Sequence, residues 1–258
     1  MTRLDLLLVK QNHAKSRTEA ASLIKEGRVK VNGVLCQKPS QSFEDDCIIE
    51  VEHPESRYVS RGGYKLEKAI ETFGINVNNQ ICLDIGASTG GFTDCLLQKG
   101  AGKVYAVDCG HSQLDERLKG NPKVINTEET NARFLKKTDF GDEISLIVMD
   151  VSFISQTLIY PACKDILPEG GEMVTLIKPQ FELDRSKVSK KGIVKDEKGV
   201  YLKQIKEKIT AASGRNGFIL VDITDSPISG GDGNREYLAY FIRRNINEGN
   251  NLPQPEQA

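Results

Sequence analysis

The sequence predicts an α/β protein: a Rossmann-like, mostly parallel sheet with an antiparallel last strand, preceded by a small α+β module. Three observations predict it. From about residue 60 onward, short apolar runs alternate with helical stretches, the pattern of a parallel sheet covered on both faces. The first of those runs passes into a glycine-rich turn, "ICLDIGASTGGF", of the kind that open α/β sheets place outside the carboxyl end of a strand. The last two runs, "FILVDITDSPI" and "REYLAYFIRR", are joined by a loop with glycines and no helix, so the final strand must turn back on its neighbour.

Taken in order, the first ~60 residues form a separate unit. "RTEAASLIKEG" (17–27) is a helix, with Ser16 as its N-cap and Gly27 as its stop. "RVKVNGVLCQKPS" alternates as a strand pair around an Asn32-Gly33 turn, and "CIIEVE" (47–52) is a further strand. The boundary falls in "HPESRY" (53–58), giving a module at 1–60 and a larger domain at 61–246. In that domain "SRGGYKLEKAIETFG" is a helix. Strands follow at about 81–85, 103–108, 123–127, 145–150 and 172–178, with helices at about 91–99, 156–166 and 197–213. The tail, 247–258, is polar and proline-containing and is expected to be disordered.

Composition narrows the functional classes. No apolar run approaches the ~20 residues that span a bilayer, and the start lacks the features of a secretion signal. The six cysteines (36, 47, 82, 95, 109, 163) are scattered without CxxC spacing. That fits a reducing cytoplasm, with neither a disulfide framework nor a structural metal. A net charge of −1 argues against a protein that coats nucleic acid indiscriminately. Charge is unevenly placed, however: residues 1–40 carry eight Lys/Arg against three acids, whereas residues 41–60 carry one against six. A local basic face on the small module follows.

The glycine-rich turn points to a nucleoside cofactor. Gly86, Gly90 and Gly91 let backbone approach a ligand closely. Asp108 ends the next strand, where a carboxylate can accept hydrogen bonds from ribose hydroxyls. Two cofactors fit. A dinucleotide would want G-x-G-x-x-G beneath its pyrophosphate. The turn here is D-x-G-x-x-x-G-G, and the acid Asp84 together with the antiparallel last strand favours the cationic, phosphate-free S-adenosylmethionine.

Four further residues converge on the same edge. Asp150 ends "SLIVMD" and Lys178 ends "TLIK", so both sit at carboxyl ends of strands. Glu236 opens the antiparallel strand and therefore meets that edge too, and Lys65 opens the helix before the first strand. A lysine at the end of a buried strand is costly unless it is partnered. Two lysines and two carboxylates beside a methyl donor suit methylation of a ribose hydroxyl, a poor nucleophile that must lose its proton as it attacks. Lys178 would hold the 2′-oxygen or receive its proton, Asp150 would fix Lys178, and Lys65 and Glu236 would orient it and the ribose.

These blocks resemble the TlyA/hemolysin A family of bacterial ribosomal RNA 2′-O-methyltransferases over essentially the whole chain. "RLDLLLVKQNHAKSRTEAASLIKEGRVKVNG" is similar to an S4 RNA-binding domain. "YVSRGGYKL", "LDIGASTGGFTDCLL", "MDVSFIS", "LIKPQFE" and "GNREYL" are similar to successive blocks of an FtsJ-like, class I methyltransferase domain. The resemblance implies a Lys-Asp-Lys-Glu tetrad at Lys65, Asp150, Lys178 and Glu236, and cytidine methylation of ribosomal RNA within assembled subunits. The expected cofactor set is Asp84, Gly86, Ala87, Ser88, Gly90, Gly91, Phe92, Asp108 and, after the third strand, Asn131. In the S4-like module, Arg3, Lys15, Arg17, Arg28 and Lys30 are expected to contact phosphate. No metal and no membrane partner is expected. Two other classes stay open: an RNA-binding assembly factor with an inactive methyltransferase fold, and the cytolysin that the family label names.

Overall fold

The computed structural model describes residues 1–14, 16–51, 57–194, 200–230 and 233–244. Expectations for Lys15, for residues 52–56 of the linker and for the tail at 247–258 lie outside the described residues. The chain divides into two compact units, with the break after Arg57. That is three residues before the expected boundary, because Tyr58 is fully buried in the core of the second unit.

The first unit contains β1 (Thr2–Arg3), α1 (Leu4–Lys10), α2 (Arg17–Lys25), β2 (Val29–Val31), β3 (Val34–Cys36), β4 (Ser42–Phe43) and β5 (Ile49–Val51). Helix α1 was not expected. Its run "LDLLLV" is too short for helical periodicity to show, and it is stabilised by packing rather than propensity. Leu4, Leu7 and Leu8 pack on Ala20, Leu23 and Ile24 of α2 and on Val29 and Val31 of β2. Ser16 caps α2, its hydroxyl accepting from the Glu19 N–H at 3.2 Å. The β2–β3 hairpin turns at Asn32 and Gly33, both at positive φ (50° and 78°), as a tight two-residue turn requires.

The second unit is built on a seven-stranded sheet. In chain order it comprises α3 (Gly62–Phe73), β6 (Ile81–Ile85), α4 (Gly91–Gln98), β7 (Lys103–Val107), β8 (Val124–Thr127), β9 (Leu146–Met149), α5 (Tyr160–Ile166), β10 (Glu172–Ile177), α6 (Pro179–Glu182), α7 (Val200–Arg215), β11 (Phe218–Asp225) and β12 (Tyr237–Arg243). The strand order is β11-β12-β10-β9-β6-β7-β8. β6 to β10 pair parallel, and β12 runs antiparallel between β10 and β11. Alternate residues of the strands feed two cores. Cys82, Leu146, Val148, Val174 and Leu176 face α3 and α4, whereas Leu83, Ile85, Ile147, Met149, Met173 and Ile177 face α5 and α7. Both faces are covered by helices, so the strands can be apolar throughout. Among the described residues no α-helix lies in the β8–β9 or β11–β12 connections, nor in the turn-rich loop that joins β7 to β8. Glu128 braces that loop, its carboxylate accepting the N–H groups of Ser112, Gln113 and Leu114. A hydrogen bond from the Asn126 side-chain amide at 3.2 Å, together with those backbone bonds, holds its pKa down at about 2.

Candidate active site

Strand register brings the predicted catalytic residues together. Asp150 follows β9 and Lys178 follows β10, two neighbouring parallel strands. Ile177 pairs with Tyr237, so one step further along the edge Lys178 and Glu236 leave their strands side by side. An antiparallel β12 is what allows a residue at a strand's start to reach an edge made of strand ends. The Lys178 Nζ forms an ion pair with Asp150 Oδ1 at 2.6 Å and donates to the Ser152 hydroxyl at 2.8 Å. The Lys65 Nζ, in the first turns of α3, donates to Glu236 Oε2 at 2.6 Å. All four are largely withdrawn from water: the Lys65 and Lys178 side chains are 11% and 13% exposed, Asp150 22% and Glu236 2%. Ammonium groups in such surroundings are tolerated only with a carboxylate beside each.

Lys65, Asp150, Ser152 and Lys178 share a cleft of about 290 Å³ with Gly86, Ala87, Ser88, Gly91 and Phe92. The floor is the glycine-rich turn. Gly86 has φ +81°, and a Cβ there would collide with the Asp150 carbonyl oxygen, so a side chain at 86 would force the ends of β6 and β9 apart. Of the expected cofactor residues, Gly86, Ala87, Ser88, Gly91 and Phe92 line this cleft directly. Gly90 does not; at φ +91° it turns the chain into α4, against Leu114 and Leu118.

Asp84 is also absent from the cleft wall. On β6 it shares a face with Cys82, toward α3 and α4, and is wholly buried there. Its Oδ2 accepts from the Thr93 hydroxyl at 2.7 Å, while Oδ1 has no hydrogen-bond partner among the described residues. Burial, with Asp150 and Asp108 nearby, pushes this carboxyl up to about 7. Asp84 therefore lies beneath the turn and does not line the cleft. Asp108 is one layer removed: its Oδ2 accepts the Ser88 N–H at 2.8 Å and its Oδ1 the Gly110 N–H at 2.7 Å, which fixes the turn. Asn131 is exposed outside the cleft and caps a short 3-10 turn, accepting from the Arg133 N–H at 3.1 Å.

Beside the first cleft lies a second, of about 740 Å³, bounded by Phe153, Ile154 and Ser155 on one side and by Gln180, Phe181 and the 183–192 loop on the other. Phe153 is 92% exposed at φ +63°, with its ring 5.3 Å from that of Phe181. The sequence reading missed Ser152 and Phe153. Both sit just beyond Asp150, within the block "MDVSFIS" that carries part of the resemblance.

In the first unit, three of the expected phosphate contacts are already engaged. Arg3 and Arg17 both bond Asp5, at 2.9 and 3.0 Å, and Arg28 pairs with Glu26 at 2.9 Å. Arg3 and Arg17 keep 45% and 58% of their side chains exposed, so both can still donate outward. Lys30 is exposed in mid-β2.

Comparison with known proteins agrees with this geometry. Residues 58–243 match the FtsJ-like methyltransferase family and residues 2–44 match the S4 domain. Hemolysin A of Brachyspira hyodysenteriae is 48% identical over 93% of this chain and 99% of its own. The 16S/23S rRNA (cytidine-2′-O)-methyltransferase TlyA of Mycobacterium tuberculosis is 38% identical over 93% of this chain and 89% of its own. A solved protein of Streptococcus thermophilus that carries a hemolysin description superposes with a TM-score of 0.76 at 41% identity, covering 94% of this chain and 88% of that one. The chain belongs to the FtsJ-like methyltransferase family, in the branch that carries an N-terminal S4 domain.

Proposed function

We propose that this protein methylates a ribose 2′-hydroxyl of ribosomal RNA, that of a cytidine, on assembled subunits in the cytoplasm, with S-adenosylmethionine as donor. The observation that carries the reading is the pair of withdrawn lysine–carboxylate contacts flanking a cleft floored by a glycine turn. The residues fit the donor: Gly86 lets the turn lie against the Asp150 carbonyl where a Cβ would collide, and the buried Asp84 carboxyl, with one unsatisfied oxygen, lies beneath that turn, where a cationic ligand would favour its charged form. When bound, S-adenosylmethionine supplies an electrophilic methyl group. Ala87, Ser88 and Gly91 would hold it, with Asp108 keeping their backbone in place.

The protein's own groups then do three things. Lys178, held by Asp150 and Ser152, fixes the attacking oxygen, and the proton that this oxygen loses enters the Lys178–Asp150 pair. Lys65, anchored by Glu236, holds the ribose from the opposite side. Phe153 offers an exposed ring face beside the cleft, suited to stacking an unpaired base. In the first unit, Arg3, Arg17, Arg28 and Lys30 would contact phosphate and set the position of the enzyme.

The hemolysin description of one relative does not change this. That relative and the rRNA methyltransferase each align over 93% of the chain, enough to include residues 65 to 236 in both. Among the described residues, no helix is long and apolar enough to cross a membrane. The test is methyl transfer from labelled S-adenosylmethionine to small and large subunits from cells lacking the gene, with Lys178→Ala in parallel. Label on a ribose with the wild type alone is the expected result. Binding of subunits by both proteins with transfer by neither would favour the assembly-factor reading.

A further inference from the structure

The loop before β12 contains a buried asparagine that the proposed chemistry does not use. Asn234 is 2% exposed and lies two residues before Glu236. Its side chain reaches a distant segment at two points: Oδ1 accepts the Val194 N–H at 2.9 Å and Nδ2 donates to the Gly192 carbonyl at 2.8 Å. The turn so held is also braced within itself. Ser189 N–H donates to the Ile193 carbonyl and Ile193 N–H to the Ser189 hydroxyl, both at 3.0 Å. The turn carries the exposed Lys190 and Lys191 and forms part of the wall of the second cleft.

We propose that Asn234 is a positioning residue, which seats the lysine-bearing turn on the segment that delivers Glu236 and so sets the RNA backbone in register with the catalytic edge. The inference rests on the RNA 2′-O-methyltransferase reading given above. The physical case is that a buried amide bonding to backbone at both its polar ends is satisfied in one arrangement only, and that losing it strands the Val194 N–H and the Gly192 carbonyl. Glu236 itself has two other restraints, its ion pair with Lys65 and the pairing of Tyr237 with Ile177. Loss of Asn234 should therefore release the turn more than the carboxylate, and affect RNA engagement more than turnover.

The test compares wild type, Asn234→Ala, Asn234→Asp, the Lys190→Ala/Lys191→Ala pair and the triple variant in methyl transfer to ribosomal subunits over a salt series. Cofactor affinity is measured by calorimetry alongside. Asn234→Ala is expected to raise KM for the subunit on the order of tenfold, with kcat and cofactor affinity little changed. It should also flatten the dependence of log KM on log salt by roughly one to two, as the lysine pair variant does, because the charges are no longer delivered to phosphate. The triple variant should add little to either parent, the signature of residues acting as a unit. Asn234→Asp keeps the acceptor for Val194 and should fall between; it also carries the test if the alanine variant does not fold. Effects that multiply in the triple variant, or a fall in kcat with KM and salt slope unmoved, would overturn the proposal. No transfer by wild type to either subunit overturns the functional reading, and with it this inference.

Discussion

Each unit of the molecule holds a cluster of cations around carboxylates, and the two differ in which partner is withdrawn from water. In the first unit the acid is buried: Asp5 is 4% exposed while Arg3 and Arg17 remain about half in solvent. In the second, the cations are withdrawn along with their acids. Burying an acid beneath two exposed guanidiniums organises a positive surface that can present charge to a large polyanion without folding around it. Burying the ammonium groups themselves does nothing for a surface; it suits groups that must meet one oxygen atom in a space from which water is largely removed. Cation–carboxylate pairs of both units thus fit the proposed roles, recognition for the exposed arginines and catalysis for the withdrawn lysines.

The comparison can be broken at either cluster. The largest effect belongs to Lys178→Ala, expected to lower kcat by about 10²–10⁴ while leaving cofactor and subunit binding near wild type; near-normal turnover at saturating substrates would remove Lys178 from the chemistry. Glu236→Gln leaves the Lys65 ammonium withdrawn without a counter-charge. It should cost about 3 kcal/mol in denaturant unfolding as well as activity, since losing one partner of a buried pair leaves the other uncompensated. Asp5→Asn should cost less, on the order of 1–2 kcal/mol, because both guanidiniums can turn to water. Paired with the arginines, Asp5 is held down at about 2. Its contribution is thus present above the ordinary carboxyl range and lost as pH falls from about 4 toward 2. Acid unfolding of the variant should lack that step, and its turnover with saturating subunits should be unchanged. Asp84→Asn should act in the opposite sense. Its folded pKa is raised, so the free protein loses stability as pH climbs from about 4 to 7. The amide should raise Tm by roughly 2–4 °C at pH 8, with no gain at pH 4, and weaken cofactor binding at pH 8.

That the four candidate catalytic residues share one edge was legible in the sequence because they sit at element ends. Apolar runs that stop at Asp150 and Lys178 mark their own carboxyl termini, and the missing helix before β12 reveals that Glu236 lies at the same edge. What escaped is set by contacts across long stretches of chain. Asn234 lies in the block "GNREYL", but its partners are 40 and 42 positions away, and nothing local points to them. Asp84 shows a second limit. Its position before the glycines drew it toward the cofactor, whereas strand parity, set by Cys82 facing α3 and α4, turns it beneath the turn instead. Helix α1 shows a third: seven residues give the 3.6-residue period too few repeats to read.

The ion pair between Lys65 and Glu236 joins residues 171 positions apart, and it has a consequence for timing. At about 5–20 residues per second, roughly 10–30 s separate the synthesis of the two. For most of that interval the nascent chain carries the first unit and the glycine-rich turn, but lacks Glu236, the partner of Lys65. An enzyme whose proposed substrate is the ribosome is therefore made by one with its set of candidate catalytic residues incomplete until β12 has slotted between β10 and β11.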